Sequence, residues 1–211
     1  MHTSTFAPKD KELRRQALID AANSVFAERG FDAATTREIA ERAGCAEGLI
    51  HRYFTGKRGL LLAILDNRSP TIGHEFGAGL EDTDRVQTEI EQIVLHDIEA
   101  KWEKRDFMRV CVSQAAIDPE LGAAIRDLIQ QRQAAVIAAR LQKHQDAGRI
   151  RLDVDIEAIA NVLSGVGFSA GFMQRIAFGL SRDEAVRIAR EAARAIARGI
   201  SADGERRKET P

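Results

Sequence analysis

The chain has almost nothing with which to build a cross-linked or metal-held fold. Its 211 residues include two cysteines, Cys45 and Cys111, far apart in sequence. The opening MHTSTFAPKDKELRR lacks the apolar core of a signal peptide, so a disulfide framework is not expected and a reducing, cytoplasmic setting is. His74, His96 and His144 have no Cys, Asp or Glu at helical metal-binding spacing apart from Asp97 beside His96, which faces another way, so no metal is expected. No Ser, Cys or His sits in a nucleophile elbow, and Gly165, Gly167 and Gly171 fall inside a helical stretch with no strand before them. Neither a catalytic residue nor a cofactor is therefore expected. Charge of one sign is missing too. A formal net charge of -1 gives no global field to draw the protein onto nucleic acid, so any such binding rests on a local patch. Residues 1–60 carry ten Lys and Arg against eight Asp and Glu, a small excess in the right direction. The one apolar run that invites comparison with a membrane span, Ile156 to Leu180, is interrupted by Glu157, Asn161, Gln174 and Arg175, and no membrane is expected.

What is present is helix. No strand-like alternation occurs, and 44% hydrophobic with 30% charged residues is ordinary for a globular protein. The most informative stretch is TTREIAERAGCAEGLIHRYFTGK, residues 35–57. Thr35 with Glu38 three positions later forms a capping box, which starts a helix by satisfying its free amides. Ile39, Ala40 and Ala43 supply an apolar face, and Gly44 can end the helix in the left-handed conformation. From Glu47 to Phe54 a second helix turns Ile50 and Phe54 inward and leaves Leu49, Arg52 and Tyr53 outward. A helix is about as wide as the major groove of B-DNA, and a partner braced across its start holds it at a fixed angle. Small residues at the crossing, Ala40, Ala43 and Gly44, permit that close brace.

From about Gln16 to Leu62 the chain resembles the head of the TetR family of bacterial transcriptional regulators. The resemblance is carried by Gly30-Phe31, Thr35-Thr36, Ile39-Ala40, Ala43-Gly44, Gly48, Phe54, Lys57 and Leu60 in order. It implies that Thr36, Arg37, Glu47, Gly48, Leu49, His51, Arg52, Tyr53 and Lys57 lie at or near DNA. On that basis Arg37, Glu47, Gly48, Leu49 and Arg52 are expected near base edges, and Thr36, His51, Tyr53 and Lys57 on phosphates. Three positions depart from the family pattern: Ala46 where a serine often caps the recognition helix, Leu49 where threonine is common, and His51 where a tyrosine usually meets the backbone.

The rest reads as an all-α body, with the head over 10–56, the body over 57–200 and polar tails at 1–9 and 201–211. The first helix runs from Asp10 with Leu13, Ala17, Ala21, Val25 and Phe26 on one face and stops at Gly30. Lys57 to Asn67 forms the fourth helix, and Ser69-Pro70 marks its kink or end. Residues 71–83 are either an extension of that helix or a loop. Asp84 to Lys104 places Val86, Ile90, Ile93, Val94, Asp97, Ile98 and Lys101 on one side. Asp97 there either faces a ligand or pairs with a buried cation, the pairing being preferred because buried charge is normally matched. A short helix spans Phe107 to Ile117. Asp118-Pro119-Glu120 opens a long one whose face is Leu121, Ile125, Leu128, Val136, Ile137 and Leu141, with Gln130, Gln131, Arg132 and Gln133 in water. Gly148 ends it, and the segment from Gly148 to Ala158 also resembles the TetR body, which implies that Asp153 or Asp155 caps the next helix. Ser181 and Glu184 form another capping box, before a last helix lined by Ala185, Ile188, Ala189, Ala192, Ile196 and Gly199.

Two adjacent helices rich in small residues suggest a homodimer through the last two helices. The resemblance adds a double-stranded DNA operator and a small, largely apolar effector as partners. Trp102, Phe107, Met108, Cys111, Phe168, Phe172 and Met173 are the candidate pocket lining, although aromatic and Met side chains at helical spacing serve plain cores more often. Cys45, at the entrance to the recognition helix, is preferably a small buried core residue. Two other classes fit the residues: a thiol redox sensor working through Cys45 or Cys111, and a helical carrier or enzyme with a vestigial head.

Overall fold

The computed structural model describes residues 8–68, 72–127 and 132–202. The described residues form α1 (Pro8–Arg29), α2 (Thr36–Arg42), α3 (Gly48–Phe54), α4 (Lys57–Arg68), α5 (Ile72–Ala78), α6 (Val86–Glu103), α7 (Arg105–Ala115) and α8 (Pro119–Ile125). After these come α9 (Arg132–Asp146), α10 (Ile156–Phe168), a π-helical segment (Ser169–Ala177) and α11 (Arg182–Ile200). The single β-type pairing among them is one bridge between Ile150 and Ser201. Most of the expected arm at 1–9, Ser69-Pro70, Leu128, Gln130, Gln131 and most of the tail at 201–211 lie outside the described residues.

The chain packs as two units. One joins the residues up to Arg68 with Asp106–Ile125, and the other joins residues 72–105 with 126–202. In the first, α1 begins at Pro8, where a missing N–H costs nothing in a first turn, and buries Leu18, Ala22, Val25 and Phe26 before Gly30 stops it at φ +77°. Leu13, expected on the same face, is 62% exposed, because the inward side of α1 starts only at Leu18. Leu60, Leu61, Ile64 and Leu65 of α4 close the core. Each such side chain contributes about 1.5–3 kcal/mol on full burial.

In the second unit α6 is the central rod, with Val86, Ile90, Ile93, Val94 and Ile98 fully buried. The buried side of α11 is an alanine ladder, Ala185, Ala189, Ala193 and Ala197, ending in Ile200. The face expected for α11 is therefore split. Ala185 and Ala189 point inward, while Ile188 and Gly199 are exposed. Gln133 is buried rather than wet. The ambiguous stretch at 71–83 is helical over Ile72–Ala78 and then a loop.

Gly148 ends α9 at φ +70°, and Asp155 is the cap of α10, its Oδ1 accepting from the Ala158 amide at 3.0 Å. Ile156–Ala177 is long and apolar enough by length and composition to cross a bilayer. Its glycines have an internal use. A Cβ on Gly171 would sit 3.0 Å from Ile98 Cα, and one on Gly167 would sit 1.8 Å from Asp97 Oδ2, so both let this segment lie directly on α6.

Buried charge on α6 is matched, as preferred for Asp97. Lys101 donates to Asp97 Oδ1 with both side chains buried, although Asp97 Oδ2 has no hydrogen-bond partner. One helical turn before Ile93, Glu89 receives Arg140 and lies 3.6 Å from His144 Nε2. Burial alone would raise the Glu89 carboxyl, but the adjacent His144 ring and the hydrogen bonds from Arg140 outweigh it and hold the group below its ordinary range. Ser201 and Ala202, expected as tail, are pinned: Ser201 is buried and the Ala202 amide donates to Arg149 O at 2.8 Å.

Candidate nucleic-acid interface

The geometry of the second and third helices is set by local chemistry. Thr35 Oγ1 accepts from the Glu38 amide at 3.1 Å while the Thr35 amide donates to Glu38 Oε2 at 3.1 Å, closing the expected box at the start of α2. Ile39 and Ala40 are buried, and Gly44 turns the chain at φ +62°. The N-cap of α3, Glu47, makes no side-chain cap bond, and its carboxylate is used sideways instead: Thr36 Oγ1 donates to Glu47 Oε1 at 2.5 Å. That bond ties the first turn of α2 to the start of α3. Ile50 and Phe54 are buried, His51, Arg52 and Gly48 are exposed, and Leu49 and Tyr53 are half-buried. Arg37 holds Glu41 at 2.9 Å, yet its side chain is 79% exposed. Such a solvent-exposed pair is weak enough for a DNA base edge to displace it.

Lys57 is engaged otherwise than expected. Its ammonium donates to the carbonyls of Phe31 at 2.8 Å, Asp32 at 3.1 Å and Ala34 at 2.8 Å, and lies 5.0 Å from the centre of the Phe31 ring. An ammonium has three protons, and all three are spent on the turn between α1 and α2. Phe31 itself packs on Phe26, ring centres 5.1 Å apart. Residues beside Lys57 went unnoticed in the sequence. A Cβ on Gly59 would lie 1.4 Å from Phe54 O, so only glycine lets α4 approach the end of α3. Lys11, on the exposed first turns of α1, stands 6.0 Å from the Tyr53 ring and brings one more cation beside the recognition helix. The only signals for these positions were a glycine in a first helical turn and a basic stretch near the amino end.

Cys45 is half-buried, its sulfur 3.5 Å from Ala43 O, so the turn covers it less fully than a core position would; Cys111 is fully buried. Of the candidate effector lining, Phe107, Met108 and Cys111 belong to the first unit and Trp102, Phe168, Phe172 and Met173 to the second. Phe168 and Phe172 stack at 5.4 Å. Trp102 carries the Arg175 guanidinium 3.9 Å from its ring centre and Arg105 at 5.1 Å. Arg175 also donates to Glu99 at 3.3 Å.

The family model for bacterial regulatory proteins of the tetR family matches residues 18–64, and that for the C-terminal domain of AefR-like transcriptional repressors matches residues 96–199. The HTH-type transcriptional repressor AcnR of Corynebacterium efficiens is 30% identical over 172 residues, covering 80% of this chain and 85% of that protein. The HTH-type transcriptional regulator BetI of Brucella anthropi is 35% identical over 82 residues, 39% of this chain and 42% of BetI. Among solved structures, a TetR-family regulator from Mesorhizobium loti superposes with a TM-score of 0.73 at 20% identity, covering 91% of this chain and 98% of that one. FadR of Bacillus subtilis in complex with stearoyl-CoA gives 0.68 at 16% identity, covering 88% and 99%. At those identities the two structures speak for the fold.

Proposed function

Because this chain belongs to the TetR family of bacterial regulatory proteins, we propose that it is a cytoplasmic repressor that binds a palindromic operator as a homodimer and is released by a small effector. The observation that carries the proposal is the α2–α3 pair. Its inner side is sealed by Ile39, Ala40, Ile50 and Phe54, and its outer side offers Arg37, Gly48, His51 and Arg52 to a groove. Arg37 is the first choice for a base, since a guanidinium can grip both acceptors of guanine; Glu47, Gly48, Leu49 and Arg52 lie near base edges. Thr36, His51 and Tyr53 hold phosphates, and Lys57 contributes by bracing the head.

Dimerisation is supported by two outward stripes with the same spacing, the exposed Ala158, Val162, Gly165 and Ser169 on α10 and its continuation, and the exposed Ile188, Ala195 and Gly199 with the half-buried Ala192 on α11. Positions at i, i+4, i+7 and i+11 share one side of a helix, and a second copy about a two-fold axis would cover both stripes as a four-helix contact. A largely apolar effector suits the aromatic and Met candidates of the body, and the neighbour in fold bound to stearoyl-CoA is consistent with that class.

The test is selection of bound sequences from a random duplex pool, with affinity for the winner measured against salt. A palindrome with half-sites about 34–36 Å apart or a multiple of it, bound by dimers, is the expected result. A folded dimer that enriches no duplex at low salt would overturn it.

A further inference from the structure

α7 and α8 are peculiar in their connection. The chain leaves the second unit after Arg105, forms the α7–α8 hairpin, and re-enters that unit at Arg126, yet Asp106–Ile125 packs with the head. The hairpin is tight: a Cβ on Gly122 would meet Ala115 O at 3.1 Å, and Leu121 and Ile125 are buried. Its corner is Asp118, whose Oδ1 accepts from the Glu120 amide at 3.0 Å and the Leu121 amide at 3.2 Å, capping α8.

Arg58 of α4 grips that corner. Its Nε donates to Asp118 Oδ2 at 2.5 Å, and its Nη2 donates to Asp118 Oδ1 at 3.1 Å and to Glu120 Oε2 at 2.5 Å. Isolated surface ion pairs contribute little, but a guanidinium fork on one carboxylate, shared with a second and joined to a helix cap, fixes direction as well as distance. The position of Arg58 in sequence gives the grip a consequence. Lys57 before it holds the turn between α1 and α2, and Gly59 after it touches the last carbonyl of α3. One turn of α4 therefore joins the base of α2, the end of α3 and the cap of α8.

We propose that Arg58 is a positioning residue through which the α7–α8 hairpin, inserted from the body's sequence, sets the angle of the recognition helix. This rests on the regulator reading, but its first test needs no DNA. Asp118→Asn with Glu120→Gln keeps a good helix cap while removing both charges from the fork. Hydrogen exchange is measured on the full chain carrying these changes, on Arg58→Lys, which keeps the charge without the fork, and on the unaltered protein. The double variant should exchange severalfold faster at the α3–α4 junction, around Phe54 and Leu60, while the middle of α1 is unchanged. Arg58→Lys should fall between. Loosening confined to α8 would overturn the proposal. With a selected operator in hand, the ratio of operator to random-duplex affinity should fall about tenfold in the double variant, because non-specific binding is chiefly electrostatic and tolerates a tilted helix. An unchanged ratio would also overturn it. Failure to find any operator, with the exchange result as expected, would instead refute the regulator reading and leave the coupling of hairpin and head standing.

Discussion

Replacing Lys57 with Met separates two roles for that side chain, because it keeps the aliphatic stem and removes only the ammonium. Three bonds of 2.8–3.1 Å to Phe31, Asp32 and Ala34 carbonyls are lost, together with the contact to the Phe31 ring. Hydrogen bonds to a charged group contribute about 1.5–3 kcal/mol each, but one half-buried ammonium shared among three acceptors does not deliver three times that. Ordering the long side chain costs a further 1.5–2 kcal/mol or so, and water can reach part of the turn in its place. A net loss of about 2–4 kcal/mol remains. For a chain of this size that lowers the melting temperature by roughly 5–15 °C. The assay is thermal unfolding followed by circular dichroism, paired with the salt dependence of binding to a random duplex. Were Lys57 a phosphate contact, the variant would melt normally and the salt slope would drop by about one. An unchanged melt would therefore refute the bracing role.

The other expectations can be stated together. Arg37→Ala should relax operator preference by about 1–3 kcal/mol at one base position with the melt unchanged, since its present partner Glu41 is only a surface ion pair; equal losses on operator and random duplex, measured by fluorescence anisotropy, would contradict base recognition. Gly167→Ala should destabilise by about 2–4 kcal/mol in a urea titration, because the new methyl would lie 1.8 Å from Asp97 Oδ2 and must disturb the buried pair with Lys101. Gly165→Leu two positions earlier, where nothing lies within 4 Å of a Cβ, should leave the subunit folded and weaken the dimer in analytical ultracentrifugation. For pH, the Arg58 hydrogen bond, helped by the Leu121 amide, lowers the Asp118 carboxyl to about 2. A depressed folded value means stability that is present above the ordinary carboxylate range and lost as pH falls through the folded one. The melt should thus be insensitive to this group from neutrality down to about pH 4 and fall between about 4 and 2, and Asp118→Asn should remove that decline.

How much of this was legible follows the range of each signal. The ends of helices are written within four or five residues, so the boxes at Thr35 with Glu38 and Ser181 with Glu184, and the stops at Gly30, Gly44 and Gly148, appear in the structure where the residues indicate. The buried side of α6 was equally plain, because seven positions in helical register leave one solution. Long-range choices were not written locally. A stripe of alanines on α11 can face inward or outward, and only the fit of Ala185, Ala189, Ala193 and Ala197 against α6 decides it. Gln133 reads as wet by type and is buried by its place on α9. Gly167 and Gly171 share a spacing known from membrane helices, but Asp97, Ile98 and Lys101, some seventy residues earlier, show what the spacing serves here.

The candidate interface divides the same way, and the division falls inside three consecutive residues. Lys57 was recognisable by family position, but position alone cannot tell a cation that meets phosphate from one that meets carbonyls, since both need a long basic side chain near a helix start. The difference lies in the turn at residues 31–34, whose three carbonyls converge on one ammonium. Arg58 gave no signal because its partners are sixty residues away. Gly59 stands in a first helical turn, where glycine costs about 1 kcal/mol against alanine. That cost is accepted because the Phe54 carbonyl occupies the space a Cβ would need. Each residue thus departs from its local preference for a reason found on a different element, the α1–α2 turn, the α8 cap or the end of α3. A rigid link from head to hairpin needs all three, since a recognition helix held at one end only could pivot about the other.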